Sequence, residues 1–421
     1  MARKMKDSGI EWIGEIPEGW ETCLYKYCCS VQPGYPFDSA KFSNSSTDGF
    51  PLIRIRDITS GEIQTYYTGK YPPNYIVTAG DLLVGMDGDF NVRWWNNDAA
   101  LLNQRCCRVT EKNSVLRRFL YYVLPFTLQH INTLTYATTV KHLANGDILN
   151  SFIAFPSLPA QQNIVHYLDT VCSEIDAILS KTRSSIEEYK KLKQAVITQA
   201  VTKGVRGERE MKDSGVEWIG EIPKEWICEK IKYATSISRG LFNHRPRNDE
   251  RYYNGKYPFI QTGDVANATK YIVSYSQTLN ELGKAVSKEF PKGTLTMTIA
   301  ANVGDVAILN FDAYFPDSVV GFIPNKNIRT LYLFYVFSSM KDEFTRTAIK
   351  STQLNLNIDR VKETFIPVTL SVNEQCEIEN YLESKCAEID GLIAKKEQLV
   401  KELESYKKSL IYEVVTGKRE V

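Results

Sequence analysis

The sequence predicts an α+β protein in which two diverged α/β-type globular domains are separated by two long helices that form an intramolecular coiled coil. Three observations predict this fold: an internal duplication, two matching heptad patterns, and a mixture of strand-like and helix-like runs between them. The segment MKDSGIEWIGEIPEGW at residues 5–20 returns 206 positions later as MKDSGVEWIGEIPKEW at residues 211–226, with 13 of 16 positions identical. A period of about half the chain indicates two copies of one module, not a solenoid of short repeats.

Each half of the chain ends in a long helical pattern that contains no proline. Residues 161–203 and 375–416 align without a gap at an offset of 214, and both space their apolar residues by three and four, which is the heptad signature. We expect the two stripes to pack against each other; two unrelated helices, each packed on its own half, are the alternative. The heptads leave the direction of the pair open. The predicted packing residues are Leu168, Val171, Ile175, Ile178, Tyr189, Leu192, Val196, Leu382, Ile389, Leu392, Leu399, Leu403, Tyr406 and Leu410.

Between the repeat and the helix, each half contains short β-type runs separated by Gly, Pro and Asn, together with a few helical stretches. These middle regions align only loosely with each other. A duplicated frame with diverged interiors predicts one shared assembly role and two separate recognition tasks. The predicted boundaries are a first recognition domain at residues 1–158, a first helix at 159–205, a second recognition domain at 206–372 and a second helix at 373–421.

The composition and the motifs argue against several classes of protein. No apolar run reaches the roughly 18–20 residues of a membrane span, and the first residues lack the apolar core of a signal peptide, so we expect a cytoplasmic protein without a membrane partner. The nine scattered cysteines and four histidines show no metal-ligand spacing, so no metal site is expected. The net charge of +1 shows no global basic field, although positive charge can still be confined to one face.

No catalytic pattern is evident in the sequence. The phosphate loop, the dinucleotide-binding glycine motif and the H-E-x-x-H zinc motif do not occur. The stretch YPPNY at residues 71–75 has the wrong order for the N-P-P-Y motif of amino-methyltransferases. Pro316 and Asp317 could begin a nuclease metal site, but no Glu-x-Lys or Asp-x-Lys follows within twenty residues. We therefore expect the chain not to be an enzyme.

Polar and basic side chains, interleaved with aromatic ones, concentrate in the diverged regions. Residues 239–256 carry five Arg or Lys and two Asp or Glu, a composition typical of a loop that meets phosphates; a solvated surface loop is the alternative. Residues 351–357 (STQLNLN) are rich in amide side chains. Such side chains can form hydrogen bonds with adenine, and arginine side chains can form them with guanine. The candidate DNA-binding residues are Arg54, Arg56, Arg93, Gln104, Arg105, Thr139, Lys141, His142, Arg239, His244, Arg245, Arg247, Gln261, Thr262, Asn302, Thr352, Gln353, Asn355 and Asn357.

Four features together resemble the specificity (S) subunits of Type I restriction-modification systems, and the resemblance covers essentially the whole chain. They are the W-I-G-E-I-P-x-x-W element at residues 12–20 and 218–226, the IQTGDV run at 260–265, the approach from FIP at 365–367 to Gln375, and the Y-L-x5-E-I-D start of each helix. The first half departs from the second in the region expected to diverge, where RIRD replaces QTGD.

The resemblance implies two target-recognition domains, each of which reads one half of a gapped, asymmetric site in double-stranded DNA. It implies long helices that pack antiparallel as a spacer and as the docking surface for two methyltransferase subunits, with restriction/translocase subunits joining the complex. S-adenosylmethionine, ATP and magnesium would then belong to the partner subunits, and this chain would bind no cofactor. A self-sufficient restriction or methylation enzyme and a coiled-coil protein adaptor without DNA readout are the alternatives.

Overall fold

The chain folds into two compact units, each of which combines one globular half with parts of both long helices. The computed structural model describes residues 3–134, 141–347, 349–350 and 354–421. The first unit comprises Met1–Thr182 and Gln398–Val421, and the second comprises Arg183–Glu397. Each unit therefore contains the first part of its own long helix and the last part of the other.

In the first unit, the described strands are short and form four sheets, most of whose pairs are antiparallel. A four-stranded sheet has the order β10-β9-β12-β4, and a five-stranded sheet has the order β5-β7-β6-β11-β8, with β6 and β11 parallel. The strands are β1 (Met5–Asp7), β2 (Glu15–Pro17), β3 (Glu21–Leu24), β4 (Cys29–Pro33), β5 (Phe42–Ser43), β6 (Phe50–Ile53), β7 (Tyr66–Tyr67), β8 (Ile76–Val77), β9 (Leu82–Gly85), β10 (Val92–Trp94), β11 (Ala100–Leu102), β12 (Cys106–Glu111) and β13 (Phe152–Phe155). The helices are α1 (Tyr25–Cys28), α2 (Ile55–Ser60), α3 (Arg117–Leu134), α4 (Asn145–Leu149) and the long α5 (Leu158–Lys203).

The second unit repeats this plan with different details. Its five-stranded sheet has the order β17-β25-β22-β23-β19, and its four-stranded sheet has the order β20-β18-β24-β21. The strands are β14 (Met211–Asp213), β15 (Glu221–Pro223), β16 (Ile227–Lys230), β17 (Thr235–Arg239), β18 (Tyr253–Phe259), β19 (Tyr271–Ile272), β20 (Gln277–Leu279), β21 (Glu289–Phe290), β22 (Leu295–Thr298), β23 (Val306–Leu309), β24 (Ala313–Tyr314), β25 (Val319–Pro324), β26 (Ile349–Lys350), β27 (Leu354–Asn355) and β28 (Phe365–Val368). The helices are α6 (Ile231–Ala234), α7 (Thr262–Asn267), α8 (Glu281–Ala285), α9 (Thr330–Ser339), α10 (Lys341–Thr347), α11 (Ile358–Glu363) and the long α12 (Val372–Val415).

The predicted α+β class and the two long helices are confirmed. Helix α5 has 46 residues and α12 has 44. Mostly antiparallel sheets with short helices fill the space before each long helix, because the runs of β-branched and apolar residues are short and are interrupted by turn residues.

The repeated sequence element anchors each globular half to the last turns of a long helix. In the first unit, Ile16 and Trp20 are buried in one cluster with Val414 and Val415 of α12. In the second unit, Ile222 and Trp226 are buried with residues at the end of α5. The two copies remain alike because each fills an equivalent apolar site, and burying such side chains is worth roughly 1.5–3 kcal/mol each.

A buried glutamine joins the start of each long helix to the globular half. The Gln375 side chain accepts a hydrogen bond from the backbone N–H of Arg329 at 2.8 Å and donates to the carbonyls of Asn327 and Thr369, also at 2.8 Å. Gln161 makes the equivalent bonds in the first unit. Both glutamines have no exposed surface, so each fixes the direction in which its helix leaves the domain.

Contacts between α5 and α12 within each unit show the relative direction of the two helices. In the second unit, Lys193 of α5 pairs with Asp390 of α12 at 2.7 Å, while Tyr189 lies beneath the ammonium group of Lys396. Moving forward along α5 thus means moving backward along α12, so the helices are antiparallel there. In the first unit, Asp176 pairs with Lys407 at 2.6 Å. The offset of 214 maps this pair onto the other, so the duplication has produced the same ion pair once in each unit.

Part of the predicted apolar stripe is exposed and does not pack between the two helices. Ten of the fourteen predicted packing residues are partly or fully buried, but Ile178, Leu192, Leu399 and Tyr406 are 41–49% exposed. The helices bury the neighbouring heptad position, which carries Cys172, Leu179 and Ile186 in α5 and Cys386 in α12. The expectation for those four residues is corrected: an apolar stripe three positions wide has two edges, and only one faces the partner helix.

Candidate nucleic-acid interface and docking surface

A close backbone approach defines the same place in both units. The glycine that follows β4, Gly34, lies so near the turn before β12 that a Cβ atom would come within 2.0 Å of the carbonyl oxygen of Asn103. Gly240, which follows β17, has the same relation to Pro316 in the turn before β25, at 2.2 Å. Only glycine fits such an approach. The loop after each glycine is therefore held against an equivalent turn, at residues 103–105 and 316–318.

In the second unit, this place carries an arginine cluster, which we define as Arg239, Arg245 and Arg247. The guanidinium of Arg247 pairs with the Asp317 carboxylate, that of Arg245 lies 3.6 Å from its other oxygen, and Arg239 donates to the carbonyl oxygen of Asp317. All three arginines are exposed. Three guanidinium charges against one carboxylate leave an excess of two positive charges, which favours a polyanion.

The fourth candidate from the same loop, His244, supports its shape. Its ring stacks on Tyr252 with 4.0 Å between centroids, and Nε2 lies 3.0 Å from Asp249. The side-chain hydrogen bond from Arg251 holds the pKa of the Asp249 carboxyl well below its usual range, so this group remains a charged acceptor at acidic pH values where an ordinary aspartate is protonated. The hydroxyl of Tyr253 donates to the carbonyl of Arg247 and ties the loop to the next strand.

In the first unit, two of the candidates meet at the Asp87 carboxylate. His142 Nδ1 lies 2.7 Å from the Asp87 carboxylate, and Arg105 Nη1 lies 3.4 Å from the same oxygen. Arg105 lies in the turn before β12 and has a φ of 74°, a left-handed backbone conformation that is uncommon for residues other than glycine. Lys141 is committed to the fold, because its ammonium group donates to the carbonyl of Asn132 at 2.7 Å.

Other candidates lie at the start of an equivalent short helix in each unit. The backbone N–H of Arg54 donates to Asp57 at the start of α2, and that of Gln261 donates to Asp264 at the start of α7. The Gln261 side chain bonds to Gln277 at 2.8 Å, and Thr262 is the first residue of α7.

Beside Arg54, the guanidinium of Arg56 lies 3.5 Å from Asp57, and its exposed side chain lines an open depression with Asn44 and Gln64. Burial raises the pKa of the Asp57 carboxyl. Arg93 donates to the carbonyls of Ile58 and Thr59 at 2.6 and 2.9 Å, so it caps the end of α2.

The remaining candidates are dispersed. Gln104 is exposed in the turn before β12, Asn302 is exposed between β22 and β23, and Asn357 caps α11 through a hydrogen bond from Asp359. Asn355 lies in β27, but its side chain is outside the described part of the chain. Thr139, Thr352 and Gln353 also lie outside the described residues.

The carboxylates that contact these cations were not predicted from the sequence. Asp87 lies 55 positions from His142, and Asp317 lies 70 from Arg247, so local composition did not connect them. A signal for the close approach was available, since Gly34 and Gly240 are identical residues at the offset of the N-terminal repeat.

In each unit the long helices leave apolar residues exposed, and we call these four residues, Ile178, Leu192, Leu399 and Tyr406, the outer stripe. Leu192 and Tyr406 are equivalent under the offset of 214 and are 48% and 49% exposed. Exposed apolar residues at heptad spacing are typical of a helix that receives a further helix. The second unit contributes Leu192, and the first unit contributes the other three.

A groove lies beside the end of each long helix. In the second unit it measures about 580 Å³ and runs from Lys191 to Lys203 of α5 beside Ile219. In the first unit it measures about 500 Å³ and lies between α12 and the aromatic pair Trp12 and Phe126. Both grooves adjoin the repeated element, so the duplication has also produced a concave surface twice.

Among residues 3–134, 141–347, 349–350 and 354–421, no group of three or more His, Cys, Asp or Glu side chains is placed to hold a metal ion. None of the helices in the described part of the chain is long and apolar enough to cross a membrane.

Comparison with known proteins gives the family. The model of the Type I restriction modification DNA specificity domain matches residues 17–188 and again residues 240–402, and the chain belongs to this family. It is 29% identical to the specificity subunit of the Type I restriction enzyme EcoBI of Escherichia coli, over 93% of this chain and 84% of that protein. It is 24% identical to the specificity subunit of the enzyme MjaVIII of Methanocaldococcus jannaschii, over 96% and 93%.

A solved structure shares the fold. The chain is similar, with a TM-score of 0.70 and 17% identity, to a chain from a study of complex assembly and conformational transition of the type I R-M system. The match covers 96% of this chain and 99% of that one. The α+β domains and the two long helices are thus an established architecture.

Proposed function

We propose that this chain is the non-catalytic subunit that selects the DNA sequence in a Type I restriction-modification complex. Each globular half reads one half of a bipartite, gapped site, and the long helices set the distance between the halves. The observation that carries this proposal is the double match of the DNA specificity domain, which occurs once in each half of a duplicated chain. Half-site spacing then follows from protein geometry.

The cationic clusters are the proposed contacts with DNA. Arginine bonds guanine bidentately in the major groove and bonds phosphates elsewhere. The arginine cluster in the second unit and Arg105 with His142 in the first lie at or beside equivalent turns. They differ in residue type and number, as expected of two domains that read unlike half-sites.

Substitutions in the two clusters should act on separate half-sites. We expect Arg247→Ala to relax the second half-site and Arg105→Ala to relax the first, each by about 1–3 kcal/mol of discrimination. Sequencing of methylated DNA from cells that express each variant with its methyltransferase measures this. Each variant is the control for the other, and relaxation of both half-sites by either one would contradict the assignment.

The outer stripe and the two grooves are the proposed docking surfaces for two methyltransferase subunits. A duplicated surface suits two copies of one partner, and exposed apolar residues at heptad spacing suit partner helices. Restriction/translocase subunits then join this assembly. In this proposal S-adenosylmethionine, ATP and magnesium are bound by the partner subunits, which supply methyl transfer and translocation.

Charged residues on the outer stripe should block docking without unfolding the chain. We expect Leu192→Glu with Tyr406→Glu to weaken the complex on the order of 100-fold, because two apolar anchors are lost. Co-purification and titration with the methyltransferase measure the effect. The matched control is Ser180→Glu with Ala394→Glu, a duplicated pair of exposed positions on another face of the same helices. Equal affinity for the two double variants would exclude the stripe as a docking surface.

A further inference from the structure

The carboxylate of Asp317 has an unusual position, at the centre of three arginines. Arg247 pairs with one carboxylate oxygen, Arg245 lies near the other, and Arg239 bonds to the backbone carbonyl of the same residue. The three side chains come from the end of β17 and the loop that follows it. Asp317 thus links a segment that begins 78 residues earlier to the turn before β25.

The turn that carries Asp317 is fixed. Gly240 lies against Pro316 with no room for a Cβ atom, and the backbone of Gly240 bonds to Val319 at 2.9 Å. The side chain of Asp317 is 35% exposed, whereas Arg245 and Arg247 are 55% and 45% exposed. Asp317 is therefore more buried than Arg245 and Arg247, and the two arginines extend from it towards solvent.

The arrangement leaves donors available. An arginine has five N–H donors in a rigid fork. Arg247 uses Nη2 on Asp317, and Arg245 uses Nη1 on the carbonyls of Phe242 and His244. A guanidinium held along one edge can still present another edge to a ligand. A guanidinium without an anchor would sample many orientations and would bind any phosphate within reach.

We propose that Asp317 is a positioning residue for sequence recognition by the second domain. It orients Arg245 and Arg247 towards base edges, and its negative charge lowers the general attraction of the cluster for phosphates. The inference rests on the proposed function and deepens it. The equivalent position in the first domain is Gln104, as counted from the starts of β12 and β25, so the first domain has no carboxylate at this place in the turn.

The test is Asp317→Asn in the complex with its methyltransferase subunits. We expect binding to DNA without the target site to become about 3- to 10-fold tighter and its salt dependence steeper by about one phosphate contact. At the same time, methylation should spread to sites with substitutions in the second half-site, while the first half-site stays fixed. A residue that only stabilises the fold would weaken both kinds of binding.

Asp312→Asn is the matched control. It makes the same change of charge in the same domain at an exposed residue outside the cluster, and the bond from the backbone N–H of Lys292 at 2.7 Å can persist. Relaxation of the second half-site by Asp312→Asn as well would assign the effect to bulk charge and overturn the proposal. Unchanged fidelity of Asp317→Asn would also overturn it.

Arg247→Lys keeps the positive charge but removes the forked set of guanidinium donors. This variant still tests the proposal if Asp317→Asn folds poorly. We expect it to lose second half-site fidelity while the first half-site stays fixed, and full fidelity would contradict the proposal. Failure of the proposed function is a separate outcome, since the parent complex would then methylate no gapped sequence at all.

Discussion

Replacement of Gln375 by leucine is expected to destabilise the second unit by at least about 3 kcal/mol. The side chain is fully buried and makes three hydrogen bonds at 2.8 Å. Leucine fills a similar volume but leaves one N–H and two carbonyls without these partners, at about 1–3 kcal/mol each. Chemical denaturation of the full chain, followed by circular dichroism, measures the loss.

The control for this prediction lies on the same helix. Gln398 bonds to Glu402 on the exposed surface of α12, so Gln398→Leu should change the stability by no more than about 0.5 kcal/mol. Gln161→Leu should repeat the large loss in the first unit. A Gln375→Leu protein as stable as the Gln398→Leu protein would show that the buried glutamine does not secure the helix to its domain.

Insertion of one heptad into each long helix is expected to lengthen the unread spacer of the recognised DNA sequence and to leave both half-sites unchanged. Seven residues placed after Arg183 in α5 and after Glu397 in α12 fall at the boundaries of the compact units, and the two positions are equivalent under the offset of 214. The insertion preserves the heptad phase and adds about 10 Å of helix. This length corresponds to about three base pairs of DNA.

The measurement is the methylation pattern of cells that express the elongated chain with its methyltransferase. The predicted pattern keeps both half-sites and widens the unread spacer by about three base pairs. Insertion in α5 alone is the control, because it shifts one helix past the other and should abolish methylation. A changed half-site at the original spacing would contradict the role of the helices as a spacer.

The long helices could be predicted from the sequence because heptad spacing and an uninterrupted length of more than forty residues specify a coiled coil locally. Which edge of the apolar stripe is buried could not be predicted from the sequence. Ile178 and Leu179 differ by 100° around the helix, and both lie within a broad apolar face. The buried edge is the one that meets the partner helix, and contacts with that helix, such as the ion pair between Lys193 and Asp390, join residues 197 positions apart.

The candidate site could be predicted in composition but not in arrangement. Residues 239–256 indicated a basic loop, and the structure brings three of its arginines together. The carboxylate beside them lies beyond seven intervening strands, and its position depends on the close approach at Gly240. Arg93 shows the converse case, because its donors are used to cap α2, a role that no local pattern indicates.

The central claim is that one chain reads two unlike half-sites through two domains. Sequencing of methylated adenines after co-expression of the unmodified chain with its methyltransferase tests this claim most directly. The predicted result is one motif made of two specified parts separated by an unread spacer of constant length. A continuous motif, or methylation that does not depend on this chain, would contradict it.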